Sequence, residues 1–102
     1  MVTELNESNF DSFIGSNNKV LIDCWAPWCG PCRRMGPIID EISSETKDFA
    51  VAKLNTDENQ AISARFRINA IPTLLVFKDG VLVQTLVGLR PKDDILKIMS
   101  GI

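Results

Sequence analysis

The chain contains no histidine and no tyrosine, and only three of its 102 residues are cysteines. Without histidine it lacks the imidazole base that a cysteine hydrolase uses. A covalently bound haem would need a histidine directly after a Cys-x-x-Cys pair, and Arg33 stands there instead. Three cysteines cannot fill the four positions of a structural zinc site unless a carboxylate or a second chain contributes a ligand. We therefore expect no metal.

Long apolar runs and an excess of either charge are also missing. The longest apolar stretch, residues 70–77, is interrupted by Pro72 and Thr73, which predicts no membrane span. Eleven basic residues and thirteen acidic ones give a net charge of −2, without the basic face that nucleic acid or an anionic membrane would require. The first residues lack the basic and apolar regions of a signal peptide, which predicts a cytoplasmic location.

The length and the hydrophobic pattern predict one α/β domain over residues 1–102. Short apolar runs typical of strands alternate with stretches whose apolar residues recur at helical spacing. Asp79-Gly80 is a hairpin signal, which predicts antiparallel last strands and hence a mixed sheet. Pro37 predicts a kink in the second helix. The predicted helices cover residues 8–14, 32–46, 59–66 and a last stretch from Pro91, and the predicted strands cover 20–25, 49–54, 73–77 and 81–87.

The most specific motif is a Cys-x-x-Cys pair, Cys29 and Cys32, between a predicted buried strand and a predicted helix. A thiol at a helix N-terminus faces unpaired N–H groups and the positive end of the helix dipole, and both favour the thiolate. We expect Cys29 to be the more exposed and more acidic thiol, and thus the nucleophile, with Cys32 as the resolving thiol. A disulfide at this spacing is feasible but constrained, which favours reversible redox chemistry over a structural crosslink. Two inert buried cysteines remain the alternative.

Asp23 lies in the middle of the apolar strand that precedes this pair. Strand alternation points its side chain into the interior, where desolvation should raise the pKa of the carboxyl. Two interpretations are open: a proton donor and acceptor, or a buried acid satisfied by hydrogen bonds.

These motifs together resemble the thioredoxin family. The likeness extends over nearly the whole chain, with the motifs in the family's order and at its distances. It implies the thioredoxin fold, a central mixed β-sheet flanked by helices on both faces. The residues that carry it are Leu21-Ile22-Asp23, the segment from Trp25 to Cys32, Pro37, the segment from Val51 to Asn55, Ile71-Pro72-Thr73 and Gly88.

The resemblance also assigns roles to individual residues. It places Asp23 behind Cys32 to take up the resolving thiol's proton, and it places Lys53 near the Asp23 carboxylate. Two interpretations of Lys53 are open: the ammonium tunes the carboxylate, or it simply extends from the strand to the surface. It implies a cis peptide bond before Pro72. The implied catalytic set is Cys29, Cys32, Asp23 and Lys53; the active-site loop holds Trp28, Gly30 and Pro31; and the substrate groove holds Ile71, Pro72, Gly88 and Leu89.

The implied function is general protein-disulfide reduction by a reversible Cys29–Cys32 exchange, as an electron carrier rather than a stand-alone enzyme. The implied partners are a thioredoxin reductase and proteins with disulfides, with no bound cofactor and a monomeric chain. A disulfide oxidase or isomerase shares the motif, although Gly30-Pro31 favours a reductant, and a redox-inactive binding module is a third alternative.

Three residues depart from the family's common pattern. Cys24 stands where an aromatic residue is expected, and it is either a small buried apolar residue or a regulatory thiol. Pro27 replaces a polar residue and Asn69 a basic one, which changes the charge around the groove and hence the expected partner preference.

Overall fold

The computed structural model describes residues 2–102. Its five strands form one mixed sheet in the order β1-β3-β2-β4-β5, in which β1 and β2 lie parallel to β3 while β4 lies antiparallel to both β2 and β5. The elements are β1 (Thr3–Glu4), α1 (Phe10–Ser16), β2 (Lys19–Trp25), α2 (Gly30–Glu45), β3 (Ala50–Asn55), α3 (Gln60–Arg65), β4 (Thr73–Lys78), β5 (Val81–Val87) and α4 (Lys92–Ser100).

Strand alternation divides the core into two layers, one on each face of the sheet. On one face, Val20, Ile22 and Cys24 of β2 pack in a cluster with α1 and α3. On the other face, Leu21 of β2 packs in a cluster with α2 and α4. The predicted α/β fold with helices on both faces is therefore confirmed.

Alternation also places Asp23 on the α2 side of the sheet, beside Leu21. In the parallel register Asp23 lies opposite Lys53 of β3, and across the antiparallel pair it lies opposite Leu74 of β4. The carboxyl is thus held in the middle of three strands, beneath the helix that begins at the Cys-x-x-Cys pair.

The predicted elements are confirmed to within about two residues, with two differences. The first helix begins at Phe10 instead of residue 8, because the Asn6 Oδ1 accepts hydrogen bonds from the backbone N–H groups of Ser8 and Asn9. Such side-chain bonds compete with helix formation. At its other end the helix continues through Gly15 to Ser16. The sequence also missed β1, a strand of two residues that is too short to show a periodic pattern.

The turn signal and the helix-start signal that the sequence offered agree with the structure. Asp79 and Gly80 both adopt positive φ values, 52° and 81°, in the turn between β4 and β5. Pro91 is the N-cap of α4. Pro37 lies on the exposed side of an α2 that continues beyond it, and the kink stays a prediction. Among residues 2–102, no helix combines the length and the apolar character that crossing a membrane requires.

The cluster on the α1 side contains three mutually packed aromatic rings. The ring centroid of Phe10 lies 5.4 Å from that of Phe66 and 6.0 Å from that of Phe77. Phe10 and Phe77 are almost completely buried. These rings anchor α1 and the end of α3 on the sheet.

We expect Phe10→Ala to lower the free energy of unfolding by about 3–5 kcal/mol, because it removes a buried ring and leaves a cavity. Chemical denaturation measures this loss. Phe13→Ala, on the same helix but at a partly buried position, is the matched control and should cost clearly less. Equal losses for the two variants would contradict the assigned packing.

Candidate functional site

The structure joins Cys29 and Cys32 in a disulfide at the start of α2, with Cα atoms 5.3 Å apart. Cys29 is the N-cap of the helix, and its Sγ accepts a hydrogen bond from the backbone N–H of Cys32 at 3.2 Å. Pro31 occupies the first turn, where a missing N–H is tolerated. The start of the helix therefore directs a backbone N–H and the positive end of the helix dipole at the Cys29 sulfur, as the sequence predicted.

The expected difference in exposure between the two cysteines is wrong for the disulfide form. Cys29 is 4% exposed and Cys32 is 5% exposed. The two residues differ instead in their contacts. The Cys29 Sγ lies 3.8 Å from the carbonyl oxygen of Ile71, whereas Cys32 lines a cavity on the other side of the disulfide.

That cavity, of about 130 Å³, joins Cys32 to Asp23 and Lys53. Asp23 is 4% exposed, and its Oδ1 has no hydrogen-bond partner in the described part of the chain. Desolvation by burial raises the pKa of Asp23 from 3.8 to about 7, against the opposing attraction of Lys53, and the charge of Asp40 raises it further. The predicted burial of Asp23 is confirmed, its pKa is raised in the predicted direction, and its role in proton transfer stays a prediction.

Lys53 reaches this cavity from the neighbouring strand. Its Nζ lies 5.8 Å from the ring centroid of Trp25, within the range of a cation–π contact. Trp25 is thereby a packing residue, half-buried beside the site, as predicted. The ammonium stabilises the ionised form of Asp23 through space and lowers its pKa.

A second feature lies beside Cys29, where the chain approaches the sulfur through a cis peptide bond between Ile71 and Pro72. The backbone N–H of Gly88 donates to the carbonyl of Pro72 at 2.8 Å. Gly88 has φ +99°, a conformation that L side chains rarely adopt, which explains the glycine. The cis bond that the family resemblance implied is therefore present.

Two large apolar side chains are exposed at the predicted groove, Trp28 at 68% and Leu89 at 42%. The indole Nε1 of Trp28 donates to Asp57 Oδ2 at 2.9 Å, which fixes the ring on the surface. Trp28 and Ile71 border a cleft of about 330 Å³ together with Asn69. Large exposed apolar residues around a cleft are typical of a binding surface.

Sequence reasoning missed three residues of the site: Gly36 and Asp40, which line the Asp23 cavity, and Asp57, which holds Trp28. Residues 32, 36 and 40 are four apart, a spacing that places them on one face of a helix and could have indicated a shared lining. Asp57 lies in a loop and carries no comparable signal.

Cys24 lies apart from this site. It is fully buried in the cluster on the α1 face, and burial raises the pKa of its thiol. A protonated, inaccessible thiol is a packing residue, so the structure favours that alternative over a regulatory role. Within residues 2–102, no group of three or more potential metal-ligating side chains is arranged to hold an ion.

Comparisons with known proteins agree with this geometry. The family model described as "Thioredoxin" matches residues 1–101. The chain is 42% identical to a thioredoxin of Pyropia yezoensis, over 97% of this chain and 94% of that one, and 40% identical, with the same coverage, to a thioredoxin of Haemophilus influenzae.

Solved structures show the same likeness. A mutant thioredoxin from Halobacterium salinarum superposes with a TM-score of 0.92 at 34% identity, covering 97% of this chain and 88% of that one. A Plasmodium falciparum thioredoxin superposes with a TM-score of 0.91 at 31% identity, and 98% of each chain is covered.

The raised pKa of Asp23 makes the stability of the protein depend on pH. The folded state holds this proton more tightly than the unfolded chain, so the contribution is fully present below pH 3.8 and is lost as the pH rises through about 7. Asp23→Asn removes the cost of burying the charge. We therefore expect it to raise the free energy of unfolding at pH 8, by up to about 4 kcal/mol.

Urea denaturation of the oxidised protein at several pH values measures this difference, which should vanish towards pH 4. Asp48→Asn, the same change at an exposed loop position, is the control and should show little pH dependence. A gain of equal size at pH 4 and pH 8 would show that burial of the charge is not the cause.

Proposed function

The chain belongs to the thioredoxin family and carries a Cys29–Cys32 redox disulfide, and from this premise we propose how its residues divide the work of protein-disulfide reduction. The observation that carries the proposal is the position of the disulfide. One sulfur faces a helix N-terminus and the cis-proline loop, and the other faces a cavity that holds a buried carboxyl.

Cys29 is the nucleophile. As a thiolate it is stabilised by the N–H of Cys32 and by the dipole of α2. Its sulfur attacks one sulfur of a substrate disulfide, a bond forms between Cys29 and the substrate, and the substrate disulfide breaks. The other substrate sulfur leaves as a thiolate and takes up a proton from solvent.

Cys32 then resolves this mixed disulfide. Its thiol proton passes to the Asp23 carboxylate through the cavity that both residues line, and its sulfur attacks the Cys29 sulfur. The Cys29–Cys32 bond forms, and the substrate's remaining sulfur leaves with the electron pair of the broken bond. A pKa of about 7 suits Asp23 to this role, because a base works best when its pKa lies near the working pH.

The groove beside Cys29 holds the substrate. The carbonyl of Ile71 lies 3.8 Å from the Cys29 sulfur, and the cis bond before Pro72 directs this stretch of backbone towards it. An extended substrate segment can pair with the Ile71 backbone in the manner of an added strand. Trp28 and Leu89 supply an apolar rim, and Gly88 supports the loop through Pro72.

The cycle needs a partner that returns two electrons to Cys29–Cys32. We propose a thioredoxin reductase in this role, proteins with accessible disulfides as the substrates, and a cytoplasmic, monomeric chain. Lys53 tunes the system by stabilising the Asp23 carboxylate electrostatically. The neutral Gly30-Pro31 dipeptide between the cysteines supports a reductant over an oxidase, since it adds no charge that stabilises the thiolate beyond the helix itself.

Single serine variants separate the roles of the cysteines. We expect Cys29→Ser to abolish reduction of insulin disulfides, because it removes the attacking sulfur. Cys32→Ser should stop after the first step and retain substrate as a mixed disulfide, which mass spectrometry detects. Cys24→Ser is the matched control and should stay active. An active Cys29→Ser variant would contradict the assignment, as would mixed disulfides formed through Cys32.

The reduction potential of the Cys29–Cys32 pair distinguishes a disulfide reductase from a disulfide oxidase. Equilibration of the protein with glutathione buffers, followed by thiol alkylation, gives the reduction potential of the Cys29–Cys32 pair. We expect a potential more reducing than that of glutathione. A potential well on the oxidising side would favour a disulfide oxidase.

A further inference from the structure

Helix α2 carries a glycine, Gly36, in its interior, where glycine destabilises a helix relative to alanine. The positive-φ glycines of the chain are Gly80 and Gly88, so the backbone at Gly36 does not require glycine. Close packing does not require it either, because a methyl group added there would meet no heavy atom within 4 Å. The glycine at position 36 must therefore have a reason other than backbone conformation or close packing.

The missing methyl group leaves space in the Asp23 cavity. Cys32, Gly36 and Asp40 follow one another at four-residue spacing and form the helical side of this cavity. Asp23 and Lys53 form part of the opposite side, on the sheet. A side chain at position 36 would therefore project between the resolving cysteine and Asp40.

The cavity extends from the interior to the surface. Asp23 and Cys32 are buried, whereas Asp40 is exposed, and all three line the same space. Its volume of about 130 Å³ is room for several water molecules. Two buried polar atoms without hydrogen-bond partners among the described residues, Asp23 Oδ1 and Trp25 Nε1, belong to residues that line it and offer the contacts that ordered water needs.

We propose that Gly36 and Asp40 are positioning residues that maintain a water-filled passage between Asp23 and solvent. The proposal rests on the role of Asp23 as proton acceptor. In the forward reaction Asp23 takes one proton from the Cys32 thiol and passes it through water to solvent beside Asp40. In the reverse reaction one proton enters by the same route and returns to the Cys32 sulfur.

The charged and titratable groups that face Asp23 determine what each substitution should do. They are Lys53 from β3 and Asp40 from α2. Cys32 also lines the cavity but does not titrate in the disulfide form, and the Cys24 thiol lies on the opposite face of β2. A methyl group at position 36 reduces the space for water in the cavity that Gly36 and Asp23 both line, and it should disfavour the charged form of the carboxyl. Loss of the Asp40 charge removes a repulsion and should favour the charged form. The two substitutions therefore act in opposite directions.

The test is an NMR titration of the Asp23 carboxyl carbon in the oxidised protein. We expect Gly36→Ala to raise the pKa of Asp23 by about half a unit or more, and Asp40→Asn to lower it by a similar amount. Asp40→Glu, which keeps the charge, should restore the original value. The Asp40 shift reports the charge of that carboxylate, and the Gly36 shift reports the loss of water from the cavity.

The chain offers a matched control for each variant. Gly15→Ala makes the same change in the exposed part of α1, where an added methyl also meets no heavy atom within 4 Å. Both alanine variants should raise the melting temperature, but Gly15→Ala should leave the Asp23 titration unchanged. Asp48→Asn controls for the loss of one negative charge. The proposed passage would be refuted if the pKa of Asp23 stayed unchanged in both Gly36→Ala and Asp40→Asn. It would also be refuted if the control variants shifted this pKa by as much.

A second measurement separates this inference from the proposed role of Asp23. The rate at which Cys32 displaces substrate from a preformed mixed disulfide is followed against pH, and its midpoint should move with the pKa of Asp23 in each variant. If the pKa of Asp23 shifts as expected while this midpoint stays fixed, the passage exists but Asp23 is not the proton acceptor. If Asp23→Asn slows this displacement while the pKa of Asp23 stays unchanged in both Gly36→Ala and Asp40→Asn, Asp23 is the proton acceptor but the proposed passage is wrong.

Discussion

The chemistry of this protein depends on one contact, the hydrogen bond from the Cys32 backbone N–H to the Cys29 sulfur at the start of α2. This N–H would otherwise be left without a partner in the first turn of the helix. The same interaction caps the helix in the disulfide form and, in the proposed mechanism, stabilises the Cys29 thiolate, so formation of α2 also places the donor beside the sulfur. The pairing of β2 with β3 and β4 holds this helix start in place.

The second constraint is the burial of a carboxyl close to that helix start. Asp23 lies on a core face of the central strand, where burial disfavours its charge and raises its pKa to about 7. An apolar residue would be more stable in this position, so a buried carboxyl near a redox disulfide is a candidate for a chemical role. The cavity that joins Asp23 to Cys32 and Lys53 connects this position to the reacting sulfur.

The surface around Cys29 is built from different chemical groups than the cavity beside Cys32. Here backbone groups and exposed apolar side chains dominate: the Ile71 carbonyl, the cis bond before Pro72, and the ring of Trp28. Backbone contacts suit a protein that reduces many partners, because they do not depend on the substrate's side chains. In the proposed mechanism, the disulfide therefore separates the side that transfers protons from the side that binds substrate.

Sequence reasoning reached most of the fold, because the apolar periodicities of β2, α2 and β4 are strong and local. It failed where local competition or short length removed the signal, at the Asn6 turn before α1 and in the two residues of β1. Within the site it found the residues that carry a motif, and it missed Asp40 and Asp57, whose contacts join segments distant in the chain.

By itself, then, the sequence determined the redox pair, its place before a helix and the apolar strand that buries Asp23, because each depends only on neighbouring residues and their spacing. Tertiary structure alone decided that the two sulfurs are equally buried in the disulfide form and that the Ile71 carbonyl approaches one of them. It also decided that Gly36 and Asp40 share a cavity with Asp23. Burial and cavities are properties of packed surfaces, and packing brings together residues whose separation in the chain carries no information about their distance.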